Sequence, residues 1–131
     1  MNKFKQKIVV MGLGYIGLPT ASMLATKGHT VVGVDINKSA VDTINSGNIH
    51  IIEPDLDILV RSAVNSGNLK ASLQPEEADT FILAVPTPFL NGEKKEEKIP
   101  NLSYVDAATK AIAPYLREGN LVILESTSPV G

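Results

Sequence analysis

The chain has 131 residues, no cysteine, 44% hydrophobic residues and a formal net charge of −2. Such a chain fits one domain that buries about two-thirds of its unfolded surface, which argues against disorder and against electrostatic binding of nucleic acid. It carries no disulfide, no thiolate metal ligand and no thiol nucleophile, and with no membrane-length apolar run and no signal peptide in residues 1–7 a cytoplasmic protein is expected.

Residues 8–11 (IVVM) are continuously apolar, as suits a strand buried on both faces, and lead directly into Gly12, Gly14 and Gly17 at GxGxxG spacing. In this pattern Gly12 lets the chain turn tightly, Gly14 lets backbone approach a pyrophosphate, and Gly17 lets the next helix lie close to the sheet. The helix N-terminus then offers unpaired N–H groups and a positive dipole end to an anion, with no basic side chain required. Leu18, Ala21, Leu24 and Ala25 follow at helical spacing over residues 18–27, with Pro19 in the first turn and Gly28 as the stop. His29 reads as a solvated turn residue, and with His50 far away in sequence no metal site is predicted.

The second apolar run, 30–34, ends in Asp35, eighteen residues beyond Gly17. That is close to the ~20 expected for a carboxylate that accepts from ribose hydroxyls. A carboxylate there repels a 2′-phosphate, so strand, glycines, helix and acid together predict a site for NAD rather than NADP. Asp35 also reads as a turn or cap residue, and Asn37 is placed to cap the next helix. Lys38 could reach a 2′-phosphate, but reads first as a solvated lysine at that helix start. Residues 39–46 predict a short helix with Ala40, Val41 and Ile44 inward, ended by Gly47. After a connector over 50–54, Leu56, Leu59, Val60, Ala63 and Val64 mark an amphipathic helix closed by Gly67.

Residues 69–73 alternate like a half-exposed strand, but 74–79 is shorter than the dozen or so residues of an ordinary parallel crossover. The strand is therefore either brief and at the sheet edge, or runs differently from the others. Residues 80–85 (TFILAV) predict a buried strand whose end bears Val85, Pro86, Thr87 and Pro88, a loop held extended by two prolines. Its place beside the glycine turn predicts cofactor contact through Val85, Pro86 and Thr87, the alternative being an ordinary stiff loop. The mixed-charge segment 91–98 reads as an exposed loop. From Ser103 a helix is expected, with Asp106 in a partial capping box and Val105, Ala108, Ile112, Tyr115 and Leu116 on one face, shortened by Pro114 and closed by Gly119. Residues 121–125 (LVILE) are expected to form the last buried strand, and an ending at Gly131 in a strand-end loop suggests a piece of something longer. Alternating strands and helices predict a doubly wound α/β domain, a mostly parallel sheet with helices on both faces and right-handed crossovers.

Four of these stretches, GLGYIGLP at 12–19, VDIN at 34–37, AVPTP at 84–88 and ESTSPVG at 125–131, resemble the nucleotide-sugar dehydrogenases of the UDP-glucose and GDP-mannose dehydrogenase family. Within that family IHIIEPDL at 49–56, VPTPF and LVILESTSPVG look most like the members acting on UDP-N-acetyl-D-mannosamine. The resemblance implies a Rossmann-like NAD-binding domain over residues 1–131 of an enzyme that oxidises a sugar C6 hydroxyl to the carboxylate in two steps with two NAD, for polysaccharide biosynthesis. It further implies a homodimer, and a second domain holding the UDP-sugar. The family's cysteine nucleophile and its lysine, asparagine and aspartate helpers lie outside these residues, so the chain alone is expected to be inactive. By matching motif, Tyr15 and Ile16 would sit at the pyrophosphate, Asp35 at the adenosine ribose and Thr87 near the nicotinamide-side ribose or phosphates. Thr127 resembles a catalytic threonine that helps position a water; its hydroxyl orients a water but is no strong base, and capping a following helix is its other reading. A dinucleotide-binding regulatory module without chemistry is the second functional class that fits.

Overall fold

The computed structural model describes residues 5–51, 53–85 and 103–125. The apolar runs become β1 (Lys7–Met11), β2 (Thr30–Val34), β3 (Leu69–Ser72), β4 (Thr80–Leu83) and β5 (Leu121–Leu124), and between them lie α1 (Gly17–Thr26), α2 (Lys38–Asn45), α3 (Leu56–Asn65) and α4 (Ser103–Ile112). The strands form one sheet in the order β3-β2-β1-β4-β5, with every neighbouring pair parallel. In this order the chain winds outward from β1 to β3 and then returns to β4. The point where its direction reverses lies between β1 and β4, the place where open α/β sheets bind ligands.

Strand side chains alternate between faces, and the core divides accordingly. Ile8, Val10, Val31 and Ile82 pack with Leu18, Ala21 and Ala25 of α1, Ile44 of α2, and Val60 and Ala63 of α3. On the opposite face Val9, Met11, Val32, Phe81 and Leu83 pack with Ala108 and Ile112 of α4. Helices on both faces and a parallel sheet are thus observed as the pattern of apolar runs predicts. Asn37 caps α2, its Oδ1 accepting from the N–H groups of Ser39 (2.9 Å) and Ala40 (3.3 Å). Lys38 pairs with Asp42 one turn later.

The short link between β3 and β4 resolves in favour of an edge strand that is parallel to its neighbour. Residues 73–79 contain no helix. They run from the β3 edge past β2 and β1, about 14 Å of lateral travel at three strand spacings. Because the strands are only four or five residues long, seven extended residues reach far enough. The link is pinned along its length. Glu76 pairs with both Lys7 of β1 and Lys70 of β3, Ala78 is buried in the second core cluster, and Asp79 Oδ2 accepts from the Lys7 N–H at 2.9 Å. The outer edge of β3 is closed by a side chain instead of a strand: Asn45 donates to the Ala71 carbonyl at 2.9 Å and accepts from its N–H at 2.8 Å.

Two expectations need correction. The final strand is not buried: Leu121, Val122, Ile123 and Leu124 are 40–56% exposed. Apolar composition states a preference for burial, but β5 is at the sheet edge and none of the described helices lies over it. Leu116 does not continue the α4 face either. Pro114 ends the α-helix at Ile112, and the tighter turn Ala113–Tyr115 advances side chains by a different angle, so that Tyr115 reaches the second core cluster while Leu116 is exposed.

Two stability predictions follow from this packing. The Ser22 hydroxyl is fully buried on α1 without a hydrogen-bond partner among the described residues, so Ser22→Ala should stabilise the fold by about 1 kcal/mol, seen as a higher urea midpoint at unchanged slope. The hydrogen bond from Lys7, and secondarily Lys70, holds the Glu76 carboxyl below its ordinary 4.5 against the opposing effect of partial burial. A depressed folded-state value means stability that is present above the unfolded-state value and lost as pH falls through the folded one. Glu76→Gln should therefore cost about 0.5–1 kcal/mol at pH 7, discounted for the exposure of both lysines. The difference from wild type should disappear once the pH is below the glutamate range.

Candidate functional site

At the carboxyl end of the sheet a crevice of about 520 Å³ lies among the glycine turn, the tips of β1, β2, β4 and β5, and α4. It is of the size that small-molecule sites occupy. Gly12 turns the chain off β1 with φ +99°, and a Cβ there would fall 2.7 Å from the Ala84 carbonyl oxygen. A Cβ on Gly17 would sit 1.7 Å from the Gly12 carbonyl oxygen, so only glycine lets α1 begin this close to the sheet. Gly14 differs from both, since a Cβ there would meet nothing within 4 Å. It lines the crevice and keeps it open.

The turn is anchored from beneath. Leu13 is fully buried in a space that Gly33 of β2 provides, where a Cβ would be 2.6 Å from the leucine Cδ2. The Leu13 N–H donates to Asp35 Oδ2 at 2.9 Å, and Asp35 Oδ1 accepts from the Asn37 N–H at 3.0 Å. Asp35 is thus at once the turn residue at the tip of β2 and a carboxylate lining the crevice. Each oxygen retains a further acceptor site for a ligand hydroxyl. The N–H groups of Gly14, Tyr15 and Ile16 have no acceptor among the described residues. The first turn of α1 contains no acidic residue. No lysine or arginine lines the crevice among the described residues. Free amides, an open glycine and a helix N-terminus fit a diphosphate without a cationic side chain.

Of the residues expected at the site, Gly12, Gly14, Tyr15, Ile16, Asp35 and Val85 all line this one crevice. Tyr15 is 60% exposed and Ile16 is half-buried. Gly17 stands behind it, as the packing contact that positions α1. Pro86, Thr87 and Thr127 lie outside the described residues. His29 is a turn residue whose Nδ1 accepts from the Gln6 N–H at 3.1 Å. Among the described residues no group of three or more potential metal ligands is assembled.

Other lining residues escaped the sequence reading. Ile36, 89% exposed, and Ala107 and Ala111, one turn apart on α4, supply an apolar wall. Small alanines at this spacing look like any helix face. Glu125 also lines the crevice, and its position at the carboxyl end of a strand was a signal available in the sequence.

The model of the UDP-glucose/GDP-mannose dehydrogenase family, NAD binding domain, matches residues 6–131. Among curated relatives, an NDP-N-acetyl-D-galactosaminuronic acid dehydrogenase of Ralstonia nicotianae is 63% identical over 124 residues, covering 95% of this chain and 28% of the relative. A UDP-N-acetyl-D-mannosamine dehydrogenase of Campylobacter jejuni is 62% identical over 131 residues, all of this chain and 31% of the relative. Among solved structures, the UDP-N-acetyl-mannosamine dehydrogenase Cap5O from Staphylococcus aureus superposes with a TM-score of 0.87 at 45% identity, covering 92% of this chain and 29% of that one. The chain therefore spans about 30% of the length of the relatives it matches.

The two inner glycines should separate folding from binding. Gly14→Ala should leave the melting temperature within a degree or two, yet weaken binding of a diphosphate ligand such as ADP at least about tenfold, because a methyl group enters the space that backbone must share with phosphate. Gly17→Ala should instead lower stability by about 3 kcal/mol or more, since the methyl group meets a carbonyl that cannot move without displacing β1 or α1. Thermal melts and calorimetric titration of the two variants check both.

Proposed function

The chain belongs to the UDP-glucose/GDP-mannose dehydrogenase family through its NAD binding domain, and from that premise we propose that residues 1–131 are the cofactor domain of a longer enzyme oxidising the C6 hydroxyl of UDP-N-acetyl-D-mannosamine to the uronate. The observation that carries this reading is the crevice itself, where the free amides of Gly14, Tyr15 and Ile16 and the carboxylate of Asp35 line one cavity at the switch point of a parallel sheet. The identity of 62% over the whole chain with the Campylobacter mannosamine dehydrogenase supports the substrate class. The Ralstonia relative, which is 63% identical, supports a second sugar, an N-acetylgalactosamine derivative linked to a nucleoside diphosphate, on the same cofactor domain.

Bound in this crevice, NAD would supply the hydride acceptor for the two successive oxidations from alcohol to carboxylate. The chain's own residues bind and orient. The amides of the glycine turn hold the diphosphate, and the positive end of α1 reinforces them. Asp35 accepts from the ribose hydroxyls and opposes a 2′-phosphate, while Ile36, Ala107 and Ala111 give the base an apolar wall. Pro86 and Thr87 extend the cofactor contacts on motif grounds alone, and Thr127 orients a water near the reacting carbon. The thiol that would take the aldehyde, most of the UDP-sugar contacts and the homodimer interface belong to the remaining two-thirds of such an enzyme. The reading is of a cytoplasmic enzyme serving polysaccharide biosynthesis.

Calorimetric titration of the chain tests the cofactor reading. NAD should bind more tightly than NADP, and Asp35→Asn should weaken NAD by about 1–3 kcal/mol through loss of a charge-assisted hydrogen bond. Unchanged affinity would remove Asp35 from the site, and no NAD binding at millimolar cofactor would overturn the function. In the full-length enzyme, NADH production from UDP-N-acetyl-D-mannosamine against UDP-N-acetyl-D-galactosamine decides the sugar.

A further inference from the structure

Glu125 follows β5 at the same rim of the sheet that carries Gly12 and Asp35, and lines the same crevice. Its side chain is tethered. Thr20 of α1 donates its Oγ1 hydrogen to Glu125 Oε1 at 2.8 Å, and the Glu125 N–H donates to the Leu83 carbonyl at 2.9 Å. Both Thr20 and Glu125 are half-buried. The second carboxylate oxygen, Oε2, has no hydrogen-bond partner among the described residues.

This charge does not serve a diphosphate. Placed in a crevice built from amides and a helix N-terminus, a carboxylate opposes an anion, and among the described residues no lysine or arginine lines the cavity to neutralise it. A cationic part of the ligand would account for it. In the order β3-β2-β1-β4-β5, Asp35 at the end of β2 and Glu125 after β5 stand on opposite sides of β1, about 14 Å apart at three strand spacings. When Asp35 takes the adenosine ribose, the other half of the dinucleotide lies over β4 and β5. Its nicotinamide ring is a cation when oxidised and neutral when reduced.

We infer that Glu125, held in place by Thr20, recognises the oxidised nicotinamide ring and makes this crevice prefer NAD⁺ to NADH. The inference rests on the NAD reading of the crevice. Glu125 is a cofactor-recognition residue in this account, and Thr20 a positioning residue that fixes where the charge stands. The consequence is directional, because the cofactor is held while it can accept a hydride and is released more readily once it has done so.

Titrating the chain with NAD⁺, NADH and ADP-ribose tests this in wild type, Glu125→Gln, Thr20→Val and Thr20→Ser. Wild type should bind NAD⁺ more tightly than NADH, with the preference shrinking as salt is added. Glu125→Gln should reduce the ratio of the two dissociation constants about tenfold, the order expected for a unit charge several ångströms away in a partly solvated site, and leave ADP-ribose unchanged. Thr20→Val should lose part of the preference and Thr20→Ser retain it, which a purely structural tether would not predict. Should Glu125→Gln fail to fold, the threonine pair decides. A ratio unchanged in both Glu125→Gln and Thr20→Val, whatever happens to the melting temperature, overturns the inference while leaving the NAD site standing. Wild type that binds none of the three ligands overturns the proposed function, and the inference falls with it.

Discussion

The contact on which the rest of this structure depends is the one between Gly17 and the carbonyl of Gly12. A side-chain carbon on Gly17 would lie 1.7 Å from that oxygen, so the start of α1 and the end of β1 are closer than any other residue permits. From this single approach follows the direction in which the helix points its free amides. It also brings Leu18 and Ala21 down onto the sheet as part of the first core cluster. Packing and ligand binding are therefore two results of one steric fact, and a larger residue at Gly17 would disturb both.

The turn is stabilised by the neighbouring strand as much as by its own glycines. Gly33 in β2 leaves room for Leu13, and Asp35 just after β2 fixes the Leu13 amide. The residue proposed to set cofactor preference is thus also a brace of the glycine turn. Two hydrogen bonds from backbone hold its carboxylate in place before any ligand arrives, so that little rotamer freedom remains to be lost on binding. The cost of this economy is that substitutions at Asp35 act on loop and ligand together, and affinity has to be read beside stability.

The two ends of the sheet are managed differently. On one side Asn45 satisfies the outer edge of β3, and Glu76 ties the helix-free link beneath to two strands. On the other side β5 presents an exposed apolar ribbon. On the proposed reading of a cofactor domain in a longer enzyme, this ribbon is an edge that the remaining chain would adjoin.

Much of this was legible in the residues. Continuous apolar runs such as IVVM and TFIL identified buried parallel strands, because a strand covered on both faces has no reason to alternate. The glycine spacing and Asp35 identified the crevice, because steric exclusion and charge act over a few residues and are written locally. What required the tertiary structure were relations between distant segments. That β3 is a parallel edge strand depended on a short link crossing two strands and on Asn45 closing the edge. That β5 is exposed depended on what does not lie over it. That Glu125 shares a cavity with Asp35 depended on strand order. Sequence determines a side chain's preferences, whereas the company it keeps across 105 residues, as between Thr20 and Glu125, is decided only when the sheet assembles and brings strand ends together.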